Sequence, residues 1–280
     1  MPRDWSRYWR SPRPGLEAMH AHFERHTYHR HSHETYSFGV TDAGVQAFTC
    51  RGGRHRSTAG MVLAFNPDEP HDGRAGDELG FTYRIVHLAP ELVAGALSDA
   101  AGRPVGLPLF PDPVVHDPVL ATALRRLHAA LLGGAPALLR DELLDAAVRA
   151  MAARAAASGP ASGPRWSRGA PASRGAAVLA ARAAEALRAD YRADITADEL
   201  AVAAGSSRFA VYRAFRAVYG MAPSDYRRQL RLRAARDLLA GGVPIADAAA
   251  ETGFTDQGHL TRWFVRCYGV TPGAYRRAVA

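Results

Sequence analysis

The chain has 280 residues, 48% of them hydrophobic, with 35 basic against 27 acidic residues and a formal net charge of +8. That length predicts two domains, and the apolar fraction can fill sizeable cores, which excludes a chain disordered throughout. Every basic residue is arginine, and 16 arginines stand against 10 carboxylates from Arg174 onward, compared with 19 against 17 before it. A small basic C-terminal half suits a polyanion partner. Cys50 and Cys267 lie far apart and give neither a disulfide framework nor a zinc spacing. The opening "MPRDWSRYWRSPRPG" has no apolar h-region and no apolar run reaches eighteen residues. Neither a secretory signal nor a membrane span is therefore expected, and the chain reads as cytoplasmic.

From about Ala18 to Leu88 the pattern is strand-like. Runs such as "TYSFGV", "VQAFTC", "MVLAFN" and "FTYRIVHL" are separated by turn signals at Asp42–Gly44, Gly52–Gly53, Asn66–Pro70 and Asp72–Gly76. Four or more such strands predict an antiparallel sandwich or barrel. Within this region "HRHSHETYSFG" spaces His29, His31 and His33 two apart. On an extended strand they share one face, and imidazole is the commonest ligand of a catalytic metal.

Between His116 and Ala156 the period becomes helical. Leu120, Leu124, Leu127 and Leu131 form one stripe, and Leu139, Leu143, Ala147 and Met151 form another after "GGAP". An αα-hairpin follows, its stripes packing on the barrel or lending part of themselves to a dimer interface. Residues 157–175, "ASGPASGPRWSRGAPASRG", have no periodicity and read as a linker. Beyond them "TADE" at Thr196–Glu199 is a capping box opening a helix.

The C-terminal half contains a duplicated module. Gly205 matches Gly253, Phe215 matches Phe264, Gly220 matches Gly269, Pro223 matches Pro272, and Tyr226-Arg227-Arg228 matches Tyr275-Arg276-Arg277. Each copy has the pattern of a helix-turn-helix. A short Ala-rich helix (Asp198–Ala204 or Ala246–Thr252) ends at a glycine expected at positive φ, and Ser207 or Asp256 then caps a second helix. That helix buries Val211 and Phe215, or Leu260 and Phe264. Its other face carries Arg208, Tyr212, Arg213 and Arg216, or Gln257, Thr261, Arg262 and Arg266. Such side chains suit a major groove, where Arg pairs with guanine and Gln with adenine. One such helix alone is no more than an arginine-rich solvated face; two matched helices in matched turns favour DNA.

These residues carry a resemblance. "ITADELAVAAGSSRFAVYRAFRAVYG" and "IADAAAETGFTDQGHLTRWFVRCYGVTPGAYRR" resemble the AraC/XylS-type DNA-binding domain over Ala176–Arg277. The resemblance implies seven helices, with two helix-turn-helix units joined by a long helix at roughly Pro223–Ala240, entering successive major grooves. It places Phe209, Tyr212, Arg213 and Arg216, then Gln257, Gly258, Thr261 and Arg262, toward the bases. Ser207, Arg208, Asp256 and Arg266 complete the expected DNA-binding set. Ala210 and Gly258 are short where longer polar residues are common, and Val265 replaces a common basic residue.

"RHSHETYSFGV" and "AGMVLAFNPDEPH" resemble the cupin-like sensor domain that precedes this module in the same family. Metal-binding cupins place a glutamate about four residues after their first histidine pair; here Ser37 and Phe38 stand there, and Glu34 adjoins His33. His31, His33 and His71 can still hold Zn²⁺ with an open position. The reading adopted is a metal-free, cofactor-free effector pocket formed by His31, His33, Tyr36, Phe38, Phe48, Phe65, His71 and Tyr83. His29 and His87 are lesser pocket candidates, since they stand near strand ends that can lift them out of the barrel.

No nucleophile–base pairing, Walker loop or dinucleotide fingerprint accompanies the histidines, so no enzyme is expected. A metal-dependent cupin enzyme and a constitutive DNA binder are the competing readings. The expected fold is α+β in two domains. Residues 1–156 form a cupin-like antiparallel β-barrel with a helical hairpin that binds effector and dimerises, and 157–175 form a linker. Residues 176–280 form an all-α domain with two helix-turn-helix units. The expected partners are double-stranded operator DNA, a small-molecule effector, a second copy of the chain and RNA polymerase, and no membrane.

Overall fold

The computed structural model describes residues 4–11, 15–157 and 173–279. Its order is β1 (Trp5–Arg10), β2 (Leu16–Phe23), β3 (Thr27–His31), β4 (Tyr36–Cys50), β5 (Gly53–Thr58), β6 (Val62–Phe65), β7 (His71–Ala75) and β8 (Phe81–Leu88). Next come α1 (Pro90–Ala101), β9 (Val114–Val115), α2 (Pro118–Leu132) and α3 (Ala137–Ala157). Seven helices follow: α4 (Arg174–Ala189), α5 (Ala197–Ala204), α6 (Arg208–Tyr219), α7 (Pro223–Ala240), α8 (Ile245–Glu251), α9 (Gln257–Tyr268) and α10 (Pro272–Val279). The α+β architecture, the antiparallel sheet domain and the helical domain are as expected. Most of the linker segment, residues 158–172, lies outside the described residues. Of its ends, Ala157 closes α3, while Ser173 caps α4 by accepting a hydrogen bond from the Ala176 amide.

All strand pairs are antiparallel. One sheet runs β1-β2-β8-β4-β6-β9, and β4 also pairs with β5 and β7, with β3 beyond β7, so the long β4 serves both walls. Two of the expected turns are displaced. Asp42–Gly44 is no turn: β4 runs through it with a bulge, two residues there opposing one step of β8 between Thr41↔Tyr83 and Ala43↔Thr82. Asp42 in the bulge is held by Arg84 at 2.6 Å and Arg125 at 3.2 Å. Residues 71–75 form β7 rather than a turn, since Asp72 accepts from the Thr49 amide of β4 and Gly73 pairs with Tyr28 of β3. Helix α1 buries only Val93 and Leu97.

Three cores result. The first lies between the outer face of the barrel (Tyr36, Phe38, Val40, Val86) and α1–α3. Leu120, Leu124, Leu127 and Leu131 are buried there with Leu143, Ala147 and Met151, whereas Leu139 is 41% exposed. The second joins the barrel interior (Met19, Phe23, Tyr28, Phe65, Tyr83) to α7–α10 (Leu232, Phe264, Tyr268, Tyr275). The third belongs to α4–α6 and the start of α7. Among the described residues no helix is long and apolar enough to cross a membrane.

Candidate functional site

Each helix-turn-helix unit is built as its sequence dictates. Thr196 and Glu199 make the reciprocal capping box that opens α5. Gly205 and Gly253 turn the chain at φ 71° and 79°, a region that side chains with a Cβ avoid. Ser207 and Asp256 then accept hydrogen bonds from the Ala210 and His259 amides and start α6 and α9. Val211 and Phe215, and likewise Leu260 and Phe264, turn inward. The opposite faces lie open. Ser207, Arg208, Phe209, Tyr212, Arg213 and Arg216 are exposed on α6, as are Asp256, Gln257, Gly258, Arg262 and Arg266 on α9, with Thr261 half-buried. The guanidinium of Arg213 lies 4.3 Å from the Phe209 ring centre, and that of Arg216 lies 5.8 Å from Tyr212. Each of these arginines thus packs on an aromatic ring four residues earlier on the same exposed face.

The second constellation is a small cleft with about 40 Å³ of interior space, where barrel and helical domain meet. Of the expected pocket residues, His31, His33, Phe65, His71 and Tyr83 line it. Tyr36 and Phe38 do not. They face outward under α2 and α3, with the Tyr36 hydroxyl on the Pro108 carbonyl at 2.7 Å and Phe38 edge-on to Phe110. Phe48 is inside but does not reach the cleft; it packs between His55 and Phe65. The β4 bulge explains the difference. One extra residue inverts the strand's alternation, so Phe38 before it and Phe48 after it occupy opposite faces despite their even spacing.

A second bulge, in β3 between Tyr28 and His31, separates His29 from its neighbours. His29 turns its ring to Trp263 of α9 at 5.0 Å, while His31 and His33 enter the cleft. His87 enters too, its Nδ1 within 2.9 Å of the Ser37 hydroxyl. Burial pushes all four cleft histidines below the usual imidazole range, His87 to about 4, and neighbouring imidazoles add to the effect at His31 and His33. They are neutral near pH 7. The cleft is not walled by the barrel alone. Arg236 of α7 and Cys267 and Tyr268 of α9 complete it.

Residues 13–148 match the family described as AraC-like ligand binding domain, and residues 200–278 match a helix-turn-helix domain. The chain belongs to the AraC family of transcriptional regulators. This AraC-type chain is 27% identical over 234 residues to the helix-turn-helix-type transcriptional regulator YbfI of Bacillus subtilis, covering 82% of this chain and 80% of that one. It is 40% identical over 88 residues to the transcriptional activator NphR of a Rhodococcus species, a match spanning 31% of this chain and 26% of that one. Its fold matches apo ToxT of Vibrio cholerae strain SCE256 at a TM-score of 0.60 and 10% identity, over 97% of this chain and 100% of that one. ToxT bound to an unsaturated fatty acid matches at 0.58 and 10% identity, over 95% and 96%.

In this AraC-type regulator the barrel and the helical domain meet through charge. Glu17 of β2, 4% exposed, faces Arg236 at 3.5 Å and Arg10 at 3.3 Å, and accepts a hydrogen bond from Tyr8. Burial alone would raise the Glu17 carboxyl; Arg236 and the Tyr8 hydroxyl outweigh it and hold the group below the usual range. Glu34 pairs with both Arg233 at 2.9 Å and Arg236 at 3.4 Å, and Arg233 also reaches Asp68 at 2.7 Å. The carbonyl of Gly220 accepts from Arg30 at 2.8 Å. Gly269 lies so close to the barrel that a Cβ there would stand 2.4 Å from the Tyr28 hydroxyl. His87 was readable from period two, since Tyr83, Ile85 and His87 alternate on β8. Arg236, Cys267 and Tyr268 carried no local sign of the cleft, because a fold brought them there from another domain.

Proposed function

We propose that this AraC-family regulator binds a small-molecule effector in the cleft between barrel and helical domain, and that the occupant alters how α9 and its partner unit engage operator DNA. The observation that carries the reading is the shared wall: His31, His33 and His71 face the cleft from the barrel, and Arg236, Cys267 and Tyr268 from α7 and α9. An occupant touching both sides has different contacts in the docked and undocked arrangements, and that differential affinity is what coupling requires. Two buried polar atoms without a hydrogen-bond partner, the Tyr268 hydroxyl and Gln46 Oε1, belong to residues lining the same cleft.

In this reading residues 1–156 are the sensing part, 157–175 the joint and 176–280 the DNA-binding part, acting in the cytoplasm and without catalysis. Phe209, Tyr212, Arg213, Arg216, Gln257, Gly258, Thr261 and Arg262 face bases, and Ser207, Arg208, Asp256 and Arg266 complete the DNA-binding set, with Arg208 and Arg266 as the cations suited to phosphates. A homodimer uses the hairpin face where Val119, Leu138 and Leu139 remain exposed, and RNA polymerase is the partner on the DNA. ToxT structures hold carboxylic acids. In this chain the cleft cation Arg236 already faces two carboxylates, Glu17 and Glu34. The groups left to meet an occupant are imidazole nitrogens and the Tyr268 and Gln46 oxygens.

The test uses the full chain and a DNA site that the chain itself selects from a random-sequence library. Compounds that stabilise the protein in a thermal-shift screen are expected to change affinity for that site. Tyr268→Ala is expected to weaken compound binding and to lose the DNA response with it. A stabilising compound that leaves DNA affinity unchanged contradicts the coupling.

A further inference from the structure

Resting on that reading of the cleft, we propose that His31, His33 and His71 form a binding site for a divalent transition-metal ion of the zinc class, whose loading is transmitted to recognition helix α9. The three residues come from the β3 end, the segment after it and the start of β7, and each offers a ring nitrogen within 4.8 Å of the other two. One point therefore lies within about 2.8 Å of all three, and small rotations of the rings bring them to the roughly 2.0–2.1 Å of a zinc–imidazole bond.

The tautomers are set for this. Nδ1 of His31 lies 2.7 Å from the His29 carbonyl, and Nδ1 of His71 lies 2.8 Å from the Glu69 carbonyl. A carbonyl only accepts, so each Nδ1 carries the proton and each Nε2 presents a bare lone pair. A backbone carbonyl behind the ring is the usual outer support of a metal-binding histidine.

The supports are themselves rigid. His71 stacks on Phe65 at 3.9 Å with the planes 2° apart. Its loop is pinned by the fully buried Glu69, whose carboxylate accepts from the Asn66 amide at 2.9 Å and from Arg51 at 2.8 Å. The one carboxylate among the residues lining the cleft, Asp72, accepts from the Thr49 amide at 2.6 Å. A set of nitrogen donors without oxygen favours zinc, cobalt, nickel or copper over magnesium and calcium.

Three ligands leave a coordination position open. On the α9 side of the cluster Tyr268 lies with its ring 6.2 Å from His33 and its buried hydroxyl unpartnered. An ion and the water or effector oxygen on it would therefore act directly on the helix expected to enter the groove.

Chelator-treated full-length protein, titrated with Zn²⁺ and Co²⁺, tests this. One ion per chain is expected, with the intense visible absorption of low-coordinate Co²⁺. His71→Ala is expected to weaken binding at least about tenfold; His31→Gln provides the same reading if His71→Ala does not fold, and His55→Ala is expected to bind normally. Zn²⁺ is expected to shift affinity for the selected DNA site at least about threefold in the wild type and not in the variants. Absence of stoichiometric binding at micromolar metal, binding indifferent to His71 and His31, or binding without a DNA response each overturns the proposal. If an organic compound shifts DNA affinity while Zn²⁺ does not bind, the effector reading stands and the metal site falls. If a stabilising compound leaves DNA affinity unchanged, the effector reading falls on its own test.

Discussion

In the first helix-turn-helix unit Phe215 packs on Tyr219 and Tyr226 inside a core built wholly from α4–α7. In the second, the matching Phe264 packs on Tyr268 and Tyr275, and the same core continues into the barrel through Tyr28, Tyr83 and Phe65. The two units are copies in sequence, yet one has a private core and the other shares its core with the sensor. Tyr219 is half-buried at the end of α6, whereas its counterpart Tyr268 is buried against His33. Duplication supplied two matched helix-turn-helix copies, and docking places one of them, through Cys267 and Tyr268, in the wall of the cleft.

That contrast breaks first at the ion pairs. Arg236→Ala leaves Glu17 buried without its main cation and is expected to destabilise the protein by about 3–5 kcal/mol in urea unfolding. Arg208→Ala, in the exposed pair of the first unit with Asp198, is expected to change it by about 0–1 kcal/mol. Equal effects would remove the distinction between the units. The sign with pH follows from Glu17, whose folded pKa is held low. Its contribution is present above the unfolded value of about 4.3 and fades as pH falls through the lower folded value. The stability gap between wild type and Glu17→Gln is therefore expected to close in acid; a gap that widens as pH falls counts against the pairing.

The glycines give a smaller test. Gly205 and Gly269 both sit at positive φ, but a Cβ at Gly205 meets nothing nearer than Arg182 at 3.5 Å. Gly269→Ala is expected to cost about 1–3 kcal/mol more than Gly205→Ala, through collision with Tyr28. Similar melting temperatures for the two variants would sink the close approach. At the DNA, Arg213→Ala and Arg262→Ala are each expected to lose roughly 1–3 kcal/mol of specific binding. Unchanged preference for the selected site over scrambled DNA would remove either assignment. Smallest is the cap: Thr196→Ala is expected to cost about 1 kcal/mol, with hydrogen exchange rising in α5 and not in α8.

The helical half was readable because its determinants are local. Caps at Thr196, Ser207 and Asp256, turns at Gly205 and Gly253 and stripes through Phe215 and Phe264 all act within a few residues. The linking helix, expected at roughly Pro223–Ala240, spans those residues. The barrel was readable as strands but not in detail. Alternation along β4 is reset by one bulged residue at Asp42, which sent Tyr36 and Phe38 to the outer face, and the bulge in β3 sent His29 to Trp263. A bulge depends on the partner strand's register, which no window of sequence contains. The other half of the cleft was not legible at all. Arg236 and Tyr268 fit helical stripes, and only docking aims them at histidines some two hundred residues earlier.

Hydrogen–deuterium exchange of the full chain, wild type against Arg236→Ala, tests the unequal wiring most directly. Protection is expected to fall in β3, α9 and α10 and to stay unchanged in α5 and α6. Equal loss in both helix-turn-helix units, or none in α9, would contradict it.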